Sequence, residues 1–188
     1  DTEADISADI DRGETPSAME PLLLRAEAPS RAELTDKALE LAAVSAGFRR
    51  SLPAGLAASL ADLVRAMNCY YSNLIEGHNT HPVDIERALR EDFSADPMKR
   101  NLQVEARAHV AVQEWIDRGA LRGRAVAAEA LKEIHRRFCE LLPDELLVVT
   151  NPETGRTVRV EPGALRRDDV RVGHHVAVSP GAVLRFLA

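Results

Sequence analysis

Ser72 and Glu76 are the pair of side chains whose types and spacing best suit joint chemistry in this sequence. Four residues apart on a helix, a hydroxyl and a carboxylate lie on one face and can meet. On periodicity alone a solvated polar face accounts for both equally well. The other candidates are weaker. His78 and His81 have an H-x-x-H look, but they straddle a predicted turn and have no cysteine nearby, so a solvated loop explains them better than a metal site. His174 and His175 are neighbours and on a strand would point to opposite faces. Cys69 and Cys139 sit among apolar helical residues and read as small core side chains. Trp115 and Tyr70 suit either a core or an interface. The Arg-rich stretches 118–124 and 165–171 are interspersed with acids or glycines and read as solvated faces.

The elements that must position these residues are mostly helices. Ser30-Arg31-Ala32-Glu33 has the spacing of a capping box, and Leu34, Ala38, Leu41 and Phe48 follow it up to Pro53. Leu56, Leu60, Leu63, Met67, Tyr71 and Leu74 repeat at spacings of three and four, which predicts an amphipathic helix ending near Gly77. On its wheel Ser72 and Glu76 fall opposite that apolar stripe. Thr80 and Pro82 start a shorter helix carrying Ile85 and Leu89. Another helix is expected from about Pro97 to Asp117, with Met98, Leu102, His109, Val110 and Ile116. Gly119 and Gly123 bracket a turn before a fifth helix marked by Val126, Leu131, Ile134, Phe138 and Leu142.

After Pro143 the pattern changes. Leu147–Thr150 and Thr157–Val160 are β-branched runs around an Asn, Pro and Gly turn, which predicts a hairpin. A second extended pair is expected at Val170–Val172 and Val176–Val178, followed by Ser179-Pro180 as a helix start. There is no internal repeat, Walker loop or dinucleotide-binding glycine fingerprint.

The 188 residues carry a formal net charge of −6. Residues 1–20 hold seven acids against Arg12 alone, so the whole excess lies there and the remaining chain is balanced. This leader has few large apolar residues to offset its ordering entropy and is read as disordered. A neutral body gives no indication of nucleic-acid binding and no electrostatic case for an anionic membrane surface. No stretch approaches the roughly 20 apolar residues that span a bilayer. Two cysteines make no disulfide framework, which leads us to expect a cytoplasmic protein.

The string Ser72-Asn73-Leu74-Ile75-Glu76-Gly77 resembles the inhibitory-helix motif of the Fic family: Ser or Thr, three residues, Glu, then Gly or Asn. The likeness continues in chain order. Asn101–Ala106 is similar to the start of the family's first core helix, and Ile134-His135 sits where the family often has Ile or Leu before His. Gly163-Ala164-Leu165-Arg166, then Val170-Arg171-Val172-Gly173, looks like the Fic flap, with Leu165 in place of the usual aromatic. Pro180, Val183 and Leu187 match the entry to the next helix. The resemblance covers about residues 40–188.

This resemblance implies a mainly α fold, a Fic-like helical bundle with a β-hairpin flap. It divides the chain into the leader at 1–20, an N-terminal helical region at 21–95 with the inhibitory helix at about 54–77, and the beginning of the Fic core at 96–188. The family signature, His-x-Phe-x-(Asp/Glu)-Gly-Asn-Gly-Arg-x-x-Arg, is absent from these residues and is expected after Ala188. None of the six histidines has its context, so none is assigned as the catalytic base.

The implied activity of the full-length protein is transfer of AMP from ATP, with Mg²⁺, to a protein hydroxyl. Neither ATP nor Mg²⁺ is expected to bind tightly to this portion alone. Ser72, Glu76 and Gly77 would form the inhibitory motif. Glu76 would pair with an Arg of the signature that otherwise holds the γ-phosphate, a competition of two bidentate acceptors for one guanidinium. Arg166, Val170, Arg171 and Val172 would form the flap on which a protein substrate docks by main-chain pairing. The reading leaves room for a homodimer. The alternative is a helical interaction or adaptor module, or a transcription-linked regulator, that does no chemistry.

Overall fold

The computed structural model describes residues 24–187, apart from 79, 152–153 and 173–174, and the side chains of 171, 172, 175 and 176 stand outside the description as well. The acidic leader, Pro152 and Glu153 of the hairpin turn, and Gly173 and His174 of the flap therefore lie outside the described residues. So do the side chains of Arg171 and Val172. The described chain is mainly helical with two short antiparallel strand pairs. It divides into two compact units, one within Pro21–Arg65 and the other within Ala66–Ala188.

The first unit holds helix α1 (Arg31–Ser51) and the start of helix α2 (Ala54–Ile75). Ser30 stands at the N-cap of α1, but its own backbone is helical and its side chain makes no cap bond. The expected capping box is therefore not formed, because capping needs the extended backbone that aims the hydroxyl at the free N–H groups. α1 stops where Leu52 turns extended ahead of Pro53, the conformation that a following proline imposes. No residue of α1 is buried.

The second unit takes the rest of α2 and adds α3 (Pro82–Leu89), α4 (Pro97–Asp117) and α5 (Ala128–Glu140). A 3₁₀ turn at Asp144–Leu147 leads into β1 (Val148–Thr150) and β2 (Thr157–Arg159). β3 (Arg171–Val172) and β4 (His175–Val176) precede a second 3₁₀ turn at Pro180–Ala182 and α6 (Val183–Leu187).

The core of this unit is built from small and medium side chains: Cys69 of α2, Ile85 of α3, and Ala106 and Val110 of α4, with Ala66 and Tyr70 packed against them. Ala66, Cys69, Tyr70 and half-buried Asn73 thus draw the buried side of α2 at spacings of three and four. This corrects the expected stripe. Tyr71 and Leu74 are exposed, because the small side chains of the other face allow α3 and α4 a close approach that leucines would prevent.

Polar groups fix the same contact. Gln103 is 1% exposed; its carbonyl accepts from the Ser94 N–H at 2.7 Å and its amide donates to the Asp84 carbonyl at 3.2 Å. A buried amide satisfied at both ends ties α4 to α3 and to the loop between them. Asp96 caps α4 by accepting from the Met98 N–H at 2.9 Å. The cap of α3 is His81, in a reciprocal box with Asp84, rather than Thr80, which is buried just ahead of it. Val126, expected within the fifth helix, lies before α5 and is exposed.

β1 and β2 pair antiparallel with Val149 opposite Val158, as the β-branched runs predict. β3 and β4 pair with Arg171 opposite Val176, and the Ala177 N–H donates to the Val170 carbonyl at 3.0 Å. The strands proper are shorter than the expected runs.

Candidate functional site

α2 ends in a defined cap, and that cap places the Ser72–Glu76 pair. The Gly77 N–H donates to the Leu74 carbonyl at 3.1 Å and the His78 N–H to the Asn73 carbonyl at 2.8 Å. Gly77 has φ +76°, the left-handed conformation that this double closure requires. Glu76 is thereby the last residue before the turn, and its own N–H still bonds to the Ser72 carbonyl at 3.2 Å. Ser72, Ile75 and Glu76 share a face one turn apart.

That face flanks the buried side of α2 rather than lying opposite it. Ser72 and Glu76 are both exposed, while Asn73, which follows Ser72 in the chain, is half-buried. Ile75, 83% exposed, lies in projection on the other side of Ser72 from Glu76. The Glu76 carboxylate has no ion-pair partner among the described residues. It also stands at the negative end of the helix dipole, with no basic residue in the last turn. An acid placed there, beside an exposed isoleucine, brings α2 no local stability.

The loop after this motif is held to α4. His78 lies 4.0 Å from Glu105, and Thr80, 3% exposed, is buried behind it. Cys69, under the same turn, is fully buried, its thiol 3.8 Å from the Ala106 carbonyl. Burial pushes its pKa up to about 11, so it serves packing and not nucleophilic chemistry.

The second candidate region begins at Gly163. Its N–H donates to His135 Nδ1 at 3.0 Å, and its φ is +75°. A Cβ at this position would stand 2.9 Å from the Arg136 Cβ and 3.1 Å from the Lys132 carbonyl, so only glycine lets the loop lie on α5. A recess of about 320 Å³ opens beside it, lined by Arg124, Glu129, Lys132, Glu133 and Arg136. Its charges are mixed. Arg124 bonds Glu133 at 2.8 Å and, as the leading cause, holds that carboxyl below its usual range.

Arg166 does not project as a free docking group. Its guanidinium donates to the Asp168 carbonyl at 3.0 Å and to the Val178 carbonyl, which closes the base of the β3–β4 segment. Asp168 in turn pairs with Arg156 at 2.6 Å, joining this base to the end of the first hairpin's turn. Val170 is exposed at the start of β3. Ser72, Glu76 and Gly77 thus stand together on one helix end, and Arg166 and Val170 on one loop; among the described residues no hydrogen bond or ion pair joins the two groups.

Two residues organise the region through bonds that the sequence does not indicate. Gln103 was legible only as a polar residue interrupting the Ala106–Val110 side of α4. His135 carried no local sign of the backbone bond it accepts from 28 residues away.

Among the described residues, no three His, Cys, Asp or Glu side chains gather as metal ligands, and no helix is long and apolar enough to cross a membrane. The chain matches no model of a known protein family, no curated protein and no solved structure.

Proposed function

We propose that this chain is the regulatory and target-docking portion of a Fic-type protein adenylyltransferase, with a Fic-like helical bundle, and that Glu76 is its inhibitory carboxylate. The observation that carries the reading is the state of Glu76. It is an exposed acid without a partner among the described residues, presented beyond the core by a Gly77 cap and bordered by the exposed Ile75. Such an acid is available to a guanidinium from outside the described residues, and a bidentate pair there would compete with a phosphate for it. Ser72, one turn back, would help seat the helix.

The β3–β4 segment is the proposed docking flap. Arg166 supports it from below by holding the Asp168 and Val178 carbonyls, so its part is to fix the segment, while Val170 and the strand edges would meet the target. ATP and Mg²⁺ belong to the full-length protein in this reading. In the same reading this portion contributes control and positioning.

A helical interaction module is the second reading. α1 favours it: Leu34, Leu41, Val44 and Phe48 are all exposed on a helix that buries nothing. Labelled ATP separates the two. Full-length protein with Glu76→Gly should label itself more strongly than wild type, whereas an adaptor would take up no label in either form.

A further inference from the structure

We propose that His135 is a proton-operated latch for the loop that leads into the β3–β4 segment. Among the described residues the loop is bonded to α5 from the Gly163 N–H to His135 Nδ1 at 3.0 Å. An imidazole nitrogen can accept that bond only when it carries no proton. Nδ1 therefore stays bare and Nε2 holds the proton, facing Cys139 Sγ at 3.5 Å. When the ring takes a second proton, Nδ1 becomes a donor pointing at another donor. The bond is lost, and the Gly163 N–H is left half-buried against α5 without a partner.

No carboxylate stands at ion-pairing distance of the ring among the described residues. On its own helix the ring faces the Cys139 thiol, which burial, chiefly, holds neutral, while Glu140 beside that thiol lies 3.9 Å from Arg136 and Glu133 lies 2.8 Å from Arg124. Lys132 and Arg136, which approach Gly163 by their backbone and Cβ, are cations. In the loop Glu161 lies two residues before Gly163, its carboxylate 3.5 Å from Arg167. From α4, no charged group reaches ion-pairing distance of the ring among the described residues. Glu133 and Glu140 are thus engaged with arginines, and among the described residues no carboxylate forms an ion pair with the ring.

The second fastening of the segment does not titrate. Arg166 keeps its proton throughout and holds the Asp168 and Val178 carbonyls at the base of β3–β4. Acidification should free the loop from α5 at Gly163 while the strand pair stays closed. The segment would then gain freedom as one piece, about Arg166.

The test is amide hydrogen exchange on the 188-residue chain between about pH 8 and 5, the window in which imidazoles change charge. His135→Asn serves as the matched variant, since its side-chain oxygen accepts near the Nδ1 position without titrating. After correction for intrinsic exchange, protection of the Gly163 amide should fall roughly tenfold in wild type and stay level in H135N. The Ala177 amide, bonded to Val170, should hold its protection in both. Ring nitrogen spectra at pH 8 should show the Nε2–H tautomer. Protection at Gly163 that ignores pH in wild type, or falls alike in both proteins, would overturn the latch. So would an Nδ1–H tautomer at pH 8, a reading that stands even if the variant does not fold.

Discussion

At the scale of single residues, the two glycines that turn the chain at the candidate sites differ in what they tolerate. Gly77 has φ +76° and open space where a Cβ would go. Gly163 has φ +75° and the Arg136 Cβ 2.9 Å from that same point. Gly77→Ala should therefore cost only the strain of the left-handed backbone, about 1 kcal/mol. Gly163→Ala should add overpacking and cost about 2–4 kcal/mol. Urea denaturation midpoints of the two variants check the order; equal losses would mean that the α5 contact carries no weight.

His109 gives a pH dependence of known sign. Burial holds its pKa below the ordinary histidine value, and its ring meets Gln113 at 2.6 Å. The unfolded chain takes up its proton first, so this contribution is present above about pH 6.5 and is lost as pH falls from there through the lower folded value. His109→Gln should lose less stability than wild type between about pH 7.5 and 5.5, by less than about 1 kcal/mol, as urea melts at the two pH values would show.

At the scale of elements, helix ends are where local sequence rules met their competitors. Asp96 and Ser30 are both N-cap residue types, yet only Asp96 accepts a backbone N–H. Asp96→Ala should cost about 1 kcal/mol, and Ser30→Ala should fall within about 0.5 kcal/mol of zero. The comparison asks whether a cap is set by residue type or by the backbone beneath it, and denaturation of both variants answers it. Most of the helices were legible, because α4 carries the Asp96-Pro97 start signal and both α4 and α5 carry periodic apolar residues. The buried face of α2 was not. The eye follows Leu63, Tyr71 and Leu74, whereas packing density rewards Ala66 and Cys69, whose small size brings α3 and α4 close. Ser72 and Glu76 could be placed on one face from spacing alone. That they flank the core rather than oppose it follows from which side of α2 is buried, the side of Ala66, Cys69 and Tyr70. The bonds of His135 and Arg166 link residues whose pairing leaves no periodic trace, so neither could be read from the chain.

At the scale of the whole molecule, the structure separates a unit with an exposed apolar helix from one that carries both candidate sites. In the second unit the Ser72–Glu76 face and the β3–β4 segment are both presented outward, one by a helix cap and the other by the Gly163 and Arg166 fastenings. A core of Ala, Cys, Val and Ile packs beneath the first of these. The controlling role remains our proposal for this unit. The inhibitory role proposed for the unpaired Glu76 is measured by incubating the full-length protein, wild type and Glu76→Gly, with Mg²⁺ and ATP labelled on the α-phosphate. Loss of one charge-assisted bidentate contact should raise covalent labelling roughly tenfold or more in the variant. Labelling that is unchanged, or absent from both proteins, would contradict it.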